Sequence, residues 1–457
     1  MHSRWVRSRN PTVTHISLHA TISDLHLLSD DALLSSSVQY GIVARSFPFT
    51  GKVIKGYLSA TGAFQGLGIG NPNADFTPNV TVCRLMSEGA SAKVLWGFRD
   101  GSIAVMFYPR TMNGARTPAK SQHSGVEEEH RSAVLDAVWA AGGRACVTAG
   151  ADGRIKVWSL RQLFCIWTSD TVPTASNANP CISVAEDLAN GVVAGGFQSG
   201  DIVVYTGFSS SFDHVPGMPL PTMLIKGTRI LASSYLTLDS SQPFGQEQWE
   251  ISSLFIHVLG PNKVSVLASF CNSPLFFRYD IDHFSAQVDV VAFGDPASGS
   301  VECIQPFFST STDERSFIVV GDKLGVISIY DWEAGHGSAQ SVTPELRREV
   351  FEDVSVTAVA MNSLVLVAGS SNGSIRVLDA LSLGHLRSFA APMRDKVRRI
   401  ILHKDMLVAS VGSRVLAWKA GPLPHGKPKG KGKARSTGGY SARWLGQKFC
   451  ICTVIDS

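Results

Sequence analysis

Apolar and polar side chains alternate on both sides of a tight turn within residues 145–158. Val147, Ala149, Ile155 and Val157 alternate with Thr148, Gly150, Arg154 and Lys156, and Asp152-Gly153 lies between the two runs. Alternation on both sides of Asp-Gly predicts a β-hairpin, because glycine accepts the positive φ of the turn and each strand turns one face to a core. Upstream, Val134 and Val138-Trp139 begin a further apolar strand. The pattern returns along the chain. Asp100-Gly101 precedes Ser102-Ile103-Ala104-Val105, and Ser199-Gly200 precedes Asp201-Ile202-Val203-Val204-Tyr205. Lys323-Leu324-Gly325 precedes Val326-Ile327-Ser328-Ile329-Tyr330, and Asn372-Gly373 precedes Ser374-Ile375-Arg376-Val377-Leu378. Gly412-Ser413 precedes Arg414-Val415-Leu416-Ala417-Trp418.

The turn glycines 101, 153 and 200 are 52 and 47 residues apart, and 325 and 373 are 48 apart. A period of about 40 to 50 residues marks a β-propeller, in which each repeat is one four-stranded blade. The interval of 125 residues between Gly200 and Gly325 has room for another unit, which Leu267-Ala268-Ser269-Phe270 and Leu275-Phe276-Phe277 fill. A weaker unit lies at Leu33-Leu34-Ser35-Ser36-Ser37 and Tyr40-Gly41-Ile42-Val43-Ala44. The count is eight, so the fold expected is an all-β propeller of seven or eight blades. Residues 11–18 supply a candidate strand to close the ring and cover an edge. Stretches 59–79, 110–129, 207–248, 282–300 and 333–346 read as insertions, which at this length are functional or disordered. Within 207–248 an outer strand is expected at 223–225 or 230–236.

The unit at 130–158 resembles a WD40 repeat, whose histidine, hydroxyl residue, turn aspartate and closing tryptophan fall on His130, Thr148, Asp152 and Trp158. The resemblance implies that these four form a hydrogen-bonded tetrad inside one blade, a structural role. The other units depart from the signature. Met106, Tyr205, Tyr330 and Leu378 stand at the tryptophan position, which only Trp418 repeats, and Ser199, Lys323 and Asn372 replace the aspartate. The resemblance implies a rigid ring on which proteins or peptides dock. Asp100, Ser199, Lys323 and Asn372 are then candidates for the partner face, because equivalent turns share one end of a propeller. Trp5-Val6-Arg7 ahead of a degenerate propeller resembles the region after the F-box of fungal F-box/WD proteins, which implies a substrate receptor of a ubiquitin ligase. The F-box itself is absent.

Composition refines this picture. A hydrophobic share of 44% with 17% charged residues fits a globular core. Lys427, Lys429, Lys431, Lys433, Arg435 and Arg443 exceed the whole net charge of +4, and no acid stands among them in 421–446. The expected organisation is therefore an N-terminal arm at 1–20, a propeller at 21–420 and a disordered basic tail at 421–457. The tail offers an alternative reading, a nucleic-acid or chromatin-associated adaptor, because each lysine can neutralise a phosphate. No apolar run is long enough to cross a membrane and no secretory signal is read, so a cytoplasmic or nuclear protein with reduced thiols is expected.

Catalytic signals are weak. Gly369-Ser370-Ser371-Asn372-Gly373 matches the Gly-x-Ser-x-Gly spacing of hydrolases, but a strand follows where the nucleophile elbow needs a helix. Gly66-Leu67-Gly68-Ile69-Gly70 opens no helix, and Cys450-Ile451-Cys452 supplies too few ligands for zinc. Glu127-Glu128-Glu129 reads as a solvated loop. The expectation is a non-catalytic scaffold without cofactor or metal, a monomeric propeller within a larger complex.

Overall fold

The computed structural model describes residues 5, 12–15, 21–28, 32–47, 52–53, 58–60, 79–88, 91–108, 120–172, 179–209, 224–231, 250–260, 262–285, 287–309, 315–335, 341–391 and 394–420. The basic tail, the Gly66–Gly70 run and the Cys450/Cys452 pair lie outside them. Eight antiparallel sheets succeed one another along the chain, seven of four strands and one of five. Blade 1 holds Asp24–Leu27, Leu33–Ser37 and Ile42–Phe47, and both Lys52–Val53 and Leu58–Ser59 pair with its third strand. Blade 2 runs from Val80–Glu88 to Lys120–His123, blade 3 from Val134–Ala140 to Phe164–Thr168, and blade 4 from Cys181–Asp187 to Lys226–Ile230. Blade 5 runs from Ile251–Gly260 to Gln287–Phe293, blade 6 from Val301–Phe307 to Leu346–Glu349, and blade 7 from Val356–Met361 to His385–Ala390.

Successive blades meet largely through their first strands, and the first strand of blade 8, Val397–His403, meets that of blade 1. The ring is therefore closed. Thr12–His15 pairs antiparallel with Arg414–Lys419, so a strand from the start of the chain is the outermost strand of the last blade. Hydrogen bonds as well as packing join the two ends of the ring.

Core packing explains why the sequence alternates. The buried apolar side chains form eight clusters, one for each contact between neighbouring blades. Successive residues of a strand serve opposite neighbours. In blade 2, Val94 and Trp96 pack toward blade 1 while Leu95 packs toward blade 3. In blade 6, Val320 packs toward blade 5 and Val319 toward blade 7. Trp5 is buried beside Phe389, Trp418 and Ala420 between blades 7 and 8.

Four of the stretches read as insertions contain outer strands, expected from the sequence only in 207–248. Lys120–His123, Lys226–Ile230 and Gln287–Phe293 are fourth strands, and Leu346–Glu349 begins at the end of the stretch 333–346. Within 207–248 an outer strand is Lys226–Ile230, which follows the expected segment 223–225 directly and shares Ile230 with the expected segment 230–236. A Lys-Gly-Thr-Arg run forms a strand here because Tyr205 pairs opposite Gly227 and Arg229 reaches Asp201.

Candidate functional site

The turns between second and third strands lie at one end of the ring, and backbone bonds tie each to the connection between blades. His130 N donates to Gly101 O at 3.1 Å, Phe351 N to Gly325 O at 3.0 Å, and Ala391 N to Gly373 O at 3.1 Å. Ile22 N donates to Gly412 O at 3.0 Å, which carries the pattern across the closure of the ring. Gly101 and Gly325 have φ of +96° and +87°, and a Cβ at either would collide with the carbonyl oxygen of His130 or Phe351. Only glycine permits that approach. The turns and connections thus form a continuous rim.

In blade 3 this rim is anchored by a buried polar network. His130, 2% exposed, places Nδ1 3.0 Å from Asp152 Oδ1 and Nε2 2.8 Å from Thr148 Oγ1. Trp158 Nε1 donates to Thr148 Oγ1 at 2.9 Å. The two oxygens of Asp152 also accept the backbone N–H of Arg131 at 3.0 Å and of Arg154 at 3.1 Å. Burial pushes the Asp152 carboxyl up, but the hydrogen bond and charge of His130 and these two N–H groups outweigh it and hold the carboxyl below its ordinary value. All four side chains are spent on one another, so this network fixes the turn and offers nothing to a substrate.

The other turns are closed differently. Asp100 is exposed, and its Oδ1 accepts Ser102 N at 3.0 Å and Ser102 Oγ at 2.7 Å. Asn372 Oδ1 accepts Ser370 Oγ at 2.7 Å and Ser374 N at 3.1 Å. Ser199 is clasped by the buried Asn179, whose Nδ2 donates to Ser199 Oγ at 2.7 Å while its Oδ1 accepts Ser199 N at 3.1 Å. Asn179 is the residue that sequence reading missed: an amide from the preceding connection replaces the His130–Asp152 pair. Lys323 requires a correction. Gly321 pairs with Ile327 in blade 6 as Ala149 pairs with Ile155 in blade 3, so Leu324, 51% exposed, occupies the aspartate position and Lys323 precedes it. The turn of blade 6 is held instead by Asp322, whose Oδ1 accepts Leu324 N at 2.9 Å and Val326 N at 2.8 Å.

A second feature of this end was invisible in the sequence. In blades 2 to 8 the register between first and second strands shifts by one residue near the start of the first strand. Each shift is a β-bulge, which re-aims one side chain. The residues so placed include Leu135, Ser252, Glu302 and Arg398, all exposed beside the rim. Lys396 Nζ lies 3.8 Å from Glu302 Oε2 and so links blade 8 to blade 6 past blade 7. Thr357 Oγ1, at the bulge of blade 7, donates to Val397 O at 2.6 Å.

Among the described residues the catalytic signals read from the sequence are placed as follows. Ser371 lies in the hairpin turn ahead of the strand Ser374–Asp379, and its N donates to Ser355 O at 3.0 Å. Burial pushes the thiols of Cys83, Cys146 and Cys181 well up and that of Cys303 up to about 12, which favours their protonated form. Among the described residues no group of three or more His, Cys, Asp or Glu side chains is placed to hold a metal ion.

No protein-family model and no curated protein sequence matches the chain. Solved structures do match in shape. The computationally designed Ika8 protein is similar with a TM-score of 0.57 at 17% identity, over 90% of this chain and 100% of that one. Sqt1 of Saccharomyces cerevisiae is similar with a TM-score of 0.60 at 12% identity, over 90% of this chain and 99% of that one. At these identities the likeness concerns the fold alone, and the fold of this chain is an all-β propeller of eight blades.

Proposed function

We propose that the protein is a non-catalytic interaction scaffold of the cytoplasm or nucleus that docks a protein or peptide partner on the rim of turns and bulges. The observation that carries this reading is the continuity of that rim. Stitched turns from successive blades present outward side chains that differ from one blade to the next, among them Lys323, Leu324, Glu302, Arg398 and Leu135. A rigid, chemically varied surface binds without an ordering cost. The test is an affinity pull-down from native lysate with the full chain as bait, repeated with Lys323→Glu and Asp100→Lys. The expected result is a partner that either reversal weakens, at unchanged melting temperature for Lys323→Glu and with binding by the folded fraction scored for Asp100→Lys, which loses the Ser102 bonds of its turn. Equal recovery by both variants, with loss of the partner on changing the opposite rim, would reject this face.

The same pull-down addresses the narrower readings. Recovery of ubiquitin-ligase subunits would support a substrate receptor of the F-box type. Recovery of nucleic acid, lost on deleting 421–446, would support an adaptor working through the basic tail. Trp5, one of the residues behind the F-box resemblance, is accounted for by its packing between blades 7 and 8.

A further inference from the structure

The outer flank between blades 3 and 4 carries a groove of about 350 Å³, away from the rim of turns. Gly227 and Arg229 line it from the outer strand of blade 4, where as alternate residues they share one face, and Ile225 lines it from just before that strand. Val203 and Tyr205 continue this wall, and Trp167, Asp170 and Val172 face it from blade 3. Trp167 meets Tyr205 edge to face at 4.8 Å. Gly227 stands directly opposite Tyr205, where a Cβ would lie 3.0 Å from the ring, so the missing side chain is what leaves the ring open.

The charges are unbalanced. Arg229 Nη2 lies 2.6 Å from Asp201 Oδ2, and Asp201 is only 8% exposed, so that pair is neutral and occupied. Asp170 is exposed at the mouth and supplies the remaining charge. Lys226 belongs to the opposite face of its strand. An aromatic wall beside a carboxylate suits a cationic side chain, whose stem lies on the rings and whose head reaches the acid. Among the described residues no strand pairs with the outer edge of Lys226–Ile230. An extended segment added there would turn alternate side chains to the face that lines the groove.

We propose that this groove is a docking site for an extended basic segment of a partner protein, which adds to the edge of Lys226–Ile230 and places a lysine or arginine side chain against Trp167, Tyr205 and Asp170. The site is separate from the rim, and the proposal does not depend on partners docking there.

The probe is a fluorescein-labelled peptide of four Thr-Lys repeats, titrated with the full chain and followed by fluorescence anisotropy. Threonine favours the extended form and puts every lysine on one face. Saturable binding is expected, weakened about tenfold when norleucine replaces lysine, and by a similar factor in Asp170→Asn and Gly227→Val. Gly227→Val fills the groove without changing charge. Should it lower the melting temperature, Asp170→Asn, an isosteric change at an exposed position, decides alone. Absence of binding, equal affinity for the lysine and norleucine peptides, or native affinity in Asp170→Asn would overturn the proposal.

Discussion

Blades 3 and 5 fill the same space in the ring with opposite chemistry. Blade 3 closes its turn with imidazole, carboxylate, hydroxyl and indole, all mutually bonded. In blade 5 the strand register sets Ala268 where blade 3 has Thr148 and Tyr279 where it has Trp158. No hydroxyl remains there to join a histidine to an indole. Rings take over: on that face Phe277 meets Phe270 edge to face at 5.9 Å and stacks on Tyr279 at 6.3 Å. On the face toward blade 6, Phe276 stacks on Phe293 at 5.2 Å while both meet Tyr330 edge to face. One charge is embedded among them. Arg278, 1% exposed, bonds Asp280 Oδ2 at 3.0 Å, donates to the carbonyl of Trp332 and lies over the Phe293 and Trp332 rings. The difference teaches that the tetrad is one way among several to hold a blade, and that interleaved apolar faces are the feature the blades share.

The comparison breaks most readily at Arg278. Arg278→Leu takes the guanidinium away from Asp280, whose Oδ1 also accepts from Ser265 Oγ, and frees a buried carbonyl in blade 6. Removing one member of a buried pair costs about 3–5 kcal/mol, and denaturant unfolding should show a loss of that size. A loss below that of any tetrad variant would mean that blade 5 is held by its rings alone.

The tetrad comes next. His130→Ala should cost about 1–3 kcal/mol, because Thr148 and Asp152 each lose a buried partner. Trp158→Phe removes one donor and should cost less. The double variant should cost less than the two losses together, since both act on the Thr148 hydroxyl. Strict additivity in denaturant titrations would show that the four residues do not act as a network.

A pH series sharpens the electrostatic half of the comparison. The folded carboxyl of Asp152 titrates below its unfolded value near 3.8. Its contribution is therefore fully present above that value and is lost as pH falls through the lower, folded one. The gap in melting temperature between the native chain and Asp152→Asn should be widest near neutrality and close as pH drops below about 4. A gap that stays constant over that range would assign the effect of Asp152 to shape and not to charge.

What the sequence made legible follows from the same packing. Second and third strands such as Ala145–Gly150 and Ile155–Ser159 are buried throughout, and their alternation declares itself beside a turn glycine. Outer strands have water on one side or both. Leu346–Glu349 is exposed along its whole length, and Lys120–His123 nearly so, so neither shows a periodic signal. Gln287–Phe293 alternates, but it lies in a stretch read as an insertion. The bulges left no mark because a register shift changes which side a residue faces and not which residue it is. The reading of Lys323 slipped by one because the aspartate of its turn, Asp322, stands two positions before the expected one and does not anchor the count. Asn179 was hidden because its partner Ser199 lies 20 residues away and meets it only where one blade leads into the next.

The smallest effects separate two residues that the sequence grouped together. Ser199 and Lys323 both entered as outward turn residues, yet Ser199 is bonded at its backbone N and its hydroxyl by buried Asn179. Ser199→Ala leaves the Asn179 amide without its acceptor in a largely buried setting, a loss of about 1 kcal/mol. Asn179→Ala removes the clasp from the other side. A double variant no worse than the worse single one would show that the two residues act as one unit. Lys323 is exposed, and only its backbone N, 2.9 Å from Ser300 O, is engaged in the bonds described here. Lys323→Glu should leave the unfolding midpoint within about 0.5 kcal/mol of native, as surface substitutions do. Its consequence should appear in partner binding alone, whereas Ser199→Ala should lower stability and leave binding by the folded fraction intact. The opposite outcome, a destabilised Lys323→Glu and a binding-deficient but stable Ser199→Ala, would move the docking surface from the blade 6 turn to the blade 4 turn.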